Sequence, residues 1–143
     1  MVKFDNNGCD YMYIDKNFNI FLSTKDIRIQ KPYFECDELF APTICILNKK
    51  GYKTKYCCSG HIIDEKGIIN HQSYHLIYTY AYIVFDKKYN FLNIPMRTNT
   101  IEMKDGYIVE RQYNLDKDLY KQQLEIAKDY YNWAEKLPIA EGE

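Results

Sequence analysis

Apolar and polar positions along the 143-residue chain predict a series of short strands, one short helix and a long final helix. Tyr11-Met12-Tyr13-Ile14 and Asn19-Ile20-Phe21-Leu22 are β-prone runs. Asp15-Lys16-Asn17-Phe18 between them supplies turn residues, so a hairpin is expected. Ile27-Arg28-Ile29 predicts a further short strand. Phe40, Ile44 and Leu47 then share a face at helical spacing, with Asp37 as an N-cap whose carboxylate accepts from first-turn amides. Pro42 fits only a first turn, so regular helix is expected to begin there. Lys49-Lys50-Gly51 closes it, placing cations at the negative end of the dipole before a glycine stop.

From Tyr52 to Cys58 the pattern alternates, with Tyr52, Thr54, Tyr56 and Cys58 on one face of a half-buried strand. Lys53, Lys55 and Cys57 occupy the other. Ser59-Gly60 breaks that strand, and His61 to about Tyr74 reads as a polar loop. Leu76 to Phe85 carries the strongest strand pattern. Ile101–Met103 and Tyr107–Arg111 flank Lys104-Asp105-Gly106, a hairpin turn. From about Asp116 to Leu137 a helix repeats Leu119, Ile126 and Trp133 every seventh residue, with Gln123, Tyr130 and Leu137 offset between them. Such a stripe lies on a sheet or pairs with a partner helix, and a homodimer through it is expected. With no repeat, linker or low-complexity tract, the chain reads as one α+β domain, 1–143, with a mostly antiparallel sheet, one short helix and one long C-terminal helix.

Composition narrows the function classes. At 46% hydrophobic and 27% charged residues the chain can bury a core, which excludes intrinsic disorder. The net charge of −1, with both signs interspersed, argues against general nucleic-acid binding. No apolar run approaches a membrane span, and the N-terminus lacks an apolar signal region. Five cysteines without an export signal are expected as reduced thiols in a cytoplasmic protein. Fifteen Tyr give an aromatic excess suited to a wet surface or pocket, although an AT-rich genome also favours Tyr and Lys codons.

Candidate chemistry concentrates in Cys57-Cys58-Ser59-Gly60-His61. A thiolate beside an imidazole is a nucleophile, which makes Cys58 and His61 the catalytic candidates. The Ser59-Gly60 turn alternatively offers amides and a hydroxyl to an anion. A zinc site from Cys57 or Cys58 with His61, His71 and His75 is a third option, because all three histidines fall in one stretch. No cofactor is otherwise expected. Only three of the nineteen basic residues are arginine, and Arg97 and Arg111 are candidates for planar, bidentate anion contacts.

The run Leu47-Asn48-Lys49-Lys50-Gly51-Tyr52-Lys53-Thr54-Lys55-Tyr56-Cys57-Cys58-Ser59-Gly60-His61 resembles a group of small proteins of Firmicutes and their phages. These carry a helix, then G-Y-x-T, then C-C-S/E-G-H, then a Y-I-x-F strand, here Tyr82-Ile83-Val84-Phe85. The resemblance covers about residues 37 to 86 and implies a compact α+β domain of phage or prophage type, with no established activity. Cys58-Ser59-Gly60 is also similar to the C-S-G-R turn of the wybutosine-synthesis tRNA methyltransferases, with His61 in place of the Arg.

The reading placed first is a phage-type binding protein. Thr54, Tyr56, Cys58, Ser59, Gly60 and His61 form the pocket floor, and Tyr82, Arg97 and Arg111 close over a small anionic or nucleotide-like ligand. Such a protein would sequester a signalling nucleotide or inhibit a host defence protein. The alternatives are a Cys/His-centred enzyme or metalloprotein acting on a nucleotide or RNA, and a protein-binding module using the C-terminal helix.

Overall fold

The computed structural model describes residues 11–60 and 80–141. The elements run β1 (Tyr11–Asp15), β2 (Ile20–Phe21), β3 (Tyr33–Asp37), α1 (Ala41–Lys49), β4 (Thr54–Cys58), β5 (Tyr80–Phe85), β6 (Asn99–Met103), β7 (Gly106–Gln112) and α2 (Leu119–Lys136). All strand pairs are antiparallel, in a three-stranded sheet ordered β2-β1-β3 and a four-stranded sheet ordered β4-β5-β7-β6. With one helix of nine residues and one of eighteen among the described residues, the architecture is α+β, as the pattern predicts.

The two predicted hairpins form. In the first, the buried Asp15 carboxylate accepts from the amides of Asn17, Asn19 and Gln30, tying the β1–β2 turn to the chain beyond it. In the second, Met103 pairs with Gly106 across a two-residue Lys104-Asp105 turn.

One face of the four-stranded sheet makes the core. Ala81, Ile83 and Phe85 of β5 and Tyr107 and Val109 of β7 are buried on it. Leu119, Ile126, Tyr130, Trp133 and Leu137 join the same cluster from the α2 side, and Phe40, Ile44 and Leu47 from the α1 side. Each Leu, Ile, Val or Phe side chain among them contributes about 1.5–3 kcal/mol on burial. The heptad stripe of α2 is therefore occupied by the chain's own sheet and α1. Tyr120 and Leu124 lie outside that stripe and remain exposed on α2. Among the described residues no helix is long and apolar enough to cross a membrane.

Several local expectations are corrected. Ile27-Arg28-Ile29 is a turn rather than a strand, because the Asp26 carboxylate accepts from the Arg28 amide and guanidinium and holds the chain bent. The third strand of that sheet is instead Tyr33–Asp37, paired along β1 from Tyr11↔Asp37 to Asp15↔Tyr33. Asp37 does not cap α1: Phe40 holds the N-cap position without a side-chain bond, and the helix starts at Ala41, one residue before Pro42. The last helix begins at Leu119 rather than near Asp116, with the Asp118 carboxylate accepting from the Lys121 amide. Residues 76–79 of the predicted fifth strand lie outside the described residues.

Candidate functional site

The Ser59-Gly60 turn at the end of β4 is tied into the interior. Ser59 is fully buried, and its amide and hydroxyl both donate to Asp37 Oδ2, at 2.7 and 2.6 Å. The Gln123 side-chain amide, reaching in from α2, donates to Ser59 Oγ at 3.1 Å and to the Gly60 carbonyl at 3.2 Å. The Tyr113 hydroxyl donates to the Ser59 carbonyl. Four segments thus meet on two residues, and each buried polar group in the knot has a partner, as a low-dielectric interior requires. The amide and hydroxyl that the turn offered to an anion are committed to Asp37. Sequence reasoning missed Asp37, Tyr113 and Gln123 as its partners. Gln123 carried a signal, being the one side-chain amide at the stripe positions of α2.

The thiols are packing groups in the same neighbourhood. Cys57 Sγ lies 3.6 Å from Cys36 Sγ, and this contact together with burial pushes the Cys57 thiol well above its ordinary value. Cys57 is therefore protonated at neutral pH and carries no thiolate nucleophile. Cys58 is buried, and its sulfur accepts from the Gly60 amide at 3.3 Å. His61, His71 and His75 lie outside the described residues, as do the catalytic and zinc geometries that need them. Among the described residues no group of three His, Cys, Asp or Glu is arranged to hold a metal.

The arginines come together elsewhere. Arg111 opposes Ala81 in the β5–β7 register, so it stands on the helix-covered face of the sheet. Its side chain is buried and extends over the Tyr130 ring, 5.9 Å from the centroid. Nη1 donates to Asp129 Oδ2 of α2 and Nη2 to the Met96 carbonyl, each at 2.8 Å. Its Nε–H is buried with no partner among the described residues. The segment running into β6 is pinned twice: the Trp133 indole donates to the Leu92 carbonyl at 2.9 Å, and Arg111 holds Met96. Asn93 between those pins and Arg97 just after the second adopt left-handed backbone, with φ of 53° and 59°, a region that non-glycine residues enter only when their surroundings impose it.

Arg97 and Arg111 are shared walls of two adjoining clefts. One, of about 700 Å³, is lined by Leu92, Pro95, Met96, Trp133 and Lys136 together with the Asp129 carboxylate that Arg111 already binds. The other, of about 790 Å³, reaches the start of α2, where Lys117 and Lys121 face Asp118 and Glu125. In a molecule of net charge −1, basic side chains outnumber acidic ones around both clefts, and their field adds to that of the forked arginines.

The residues expected to form one pocket therefore divide. Tyr82 opposes Glu110 and Arg111 opposes Ala81, so Tyr82 and Arg111 lie on opposite faces of the sheet and cannot close over one ligand. Thr54, Tyr56 and Tyr82 line a third, separate cleft. Ser59 and Gly60 are buried between these regions. Comparison with protein-family models, curated proteins and solved structures returned no significant match.

Proposed function

We propose that this protein binds a small phosphate-bearing, nucleotide-like anion in the clefts flanking Arg97 and Arg111, as a phage-type protein that sequesters such a molecule. The observation that carries the reading is the pairing of a buried, only partly satisfied guanidinium with a second arginine held in left-handed backbone beside it. A buried guanidinium with one half-exposed carboxylate partner is poorly compensated, and a bound phosphate would improve its balance. Arg97 is exposed and lines both clefts, so it is free to turn its fork toward either. Leu92, Pro95 and Met96 give the first cleft an apolar wall against which a base or sugar can lie, while Lys136 and the arginines take the phosphates. This seat is apart from the Ser59-Gly60 turn, whose polar groups are committed to Asp37, Gln123 and Tyr113.

Native mass spectrometry against ADP, cyclic mononucleotides, cyclic dinucleotides and ADP-ribose tests this. Retention of at least one of them by the wild type, lost in Arg97→Ala, is the expected result. Arg97 is exposed and its side chain makes no core contact, so the variant should fold. Uniform absence of retention, or retention untouched by the substitution, would overturn the proposal.

A further inference from the structure

On the other side of the molecule, a cleft of about 410 Å³ opens where β3, the edge of the three-stranded sheet, meets β4, the edge of the four-stranded one. We infer that this cleft is a second binding site, specific for an alkylated ammonium group. Four aromatic residues from four strands line it: Tyr11 of β1, Phe34 of β3, Tyr56 of β4 and Tyr82 of β5. Tyr11, Phe34 and Tyr56 are 37%, 42% and 65% exposed, so their rings are not there to fill the core. Aromatic faces carry negative quadrupole density, and a quaternary ammonium is cationic, weakly hydrated and unable to donate hydrogen bonds, so such faces are its natural partners.

The charges agree with that ligand and oppose an anion. Glu35 and Asp37 line the cleft as carboxylates. Lys55, its only other charged residue among the described ones, turns its ammonium to the Asp105 carbonyl at 2.9 Å. The sign is thus opposite to that around Arg97 and Arg111, and the two sites select different chemistry from the same solution.

A β-bulge builds the aromatic wall. Thr54 opposes Phe85 on the core face, where its hydroxyl accepts from the Asn48 amide at 2.9 Å. Regular alternation would send Tyr56 to that face as well. The register shift between Thr54 and Tyr56 instead sets Tyr56 opposite Val84, on the face that carries Tyr82. A residue inserted at Lys55 therefore re-aims one tyrosine out of the core and toward another across the cleft. Bulges of this kind recur beside binding sites for the same purpose.

NMR titrations of the whole protein with tetramethylammonium, choline and trimethyllysine test the shared chemistry, against the neutral isostere 3,3-dimethylbutan-1-ol. The expected result is a saturable response to the cations, localised at Phe34, Tyr56 and Tyr82. The uncharged isostere should bind about tenfold more weakly or not at all. Tyr56→Ala should weaken the cations about tenfold, Tyr56→Phe should preserve binding, and Glu35→Gln should weaken it severalfold. Stronger response to choline than to trimethyllysine marks a small-molecule ligand, and the reverse marks a modified side chain. No saturable response to any of the three cations, or an equal response to the isostere, would overturn the inference. Arg97→Ala should leave these titrations unchanged, so this site and the anion clefts stand or fall separately.

Discussion

Gly60 has φ of +122°, and a Cβ built there would come within 2.6 Å of Tyr113 Cε2, so neither backbone nor space admits a side chain. Gly60→Ala should cost roughly 3 kcal/mol, from left-handed strain and a clash in a packed interior, read as a shift in denaturant midpoint. A loss under about 1 kcal/mol would show that the knot yields easily. Ser59→Ala leaves the Asp37 carboxylate short of a buried hydroxyl donor and should cost about 1–3 kcal/mol by the same measurement. At this scale the sequence was informative about importance and silent about role. The Cys57–His61 run stands out chemically, yet whether Ser59 faces a ligand or Asp37 depends on a partner twenty-two residues away, which local spacing cannot encode.

Elements were legible where one stripe or one alternation decides them: β5, the β6–β7 hairpin and α2 follow from hydrophobic period alone. β3 was not, because Tyr33–Asp37 is exposed over its first three residues and is drawn into a strand by pairing with β1 rather than by its own pattern. The end of α1 shows the same limit. Lys50 was expected to favour the C-terminus of its own helix. Its ammonium instead donates to the Ala134, Glu135 and Leu137 carbonyls at 2.8, 2.7 and 2.6 Å, capping α2 in place of α1. Lys50→Met keeps the aliphatic stem and removes the three bonds. It should cost about 1.5–3 kcal/mol and speed amide exchange in the last turn of α2 while sparing its first turn. Unchanged exchange there would mean the carbonyls are as well served by water.

Across the whole molecule, buried ionisable groups bound the pH range of stability. Burial pushes the Cys45 thiol up to about 11 and the Tyr130 hydroxyl up to about 12, and the Cys36 contact with burial raises Cys57. Their folded values exceed their unfolded ones, so their contribution is complete below the ordinary thiol value of 9.0 and is lost as pH climbs toward 11 and 12. On the acid side, burial alone would raise Asp15, but the amides of Asn19, Gln30 and Asn17 outweigh it and lower the carboxyl below 3.8. Its contribution is present above that value and lost as pH falls through the folded one. Thermal melting followed by circular dichroism should therefore be nearly flat from about pH 5 to 8 and fall on both sides. A maximum above pH 9 would contradict these environments.

The α+β plan was readable from the whole sequence because it needs only element types and their order. The division of candidate residues between two sheet faces was not, because the β5–β7 register decides it: Arg111 beside Ala81, Tyr82 beside Glu110. Arg97 and Arg111 are the proposed seat of a phosphate-bearing ligand. Calorimetric titration of the wild type and Arg97→Ala with ADP, side by side at low and moderate salt, tests it most directly. Saturable binding to the wild type, at least about tenfold weaker in the variant and weakened by salt, is predicted. No heat of binding, or equal affinity in the two proteins, would contradict it.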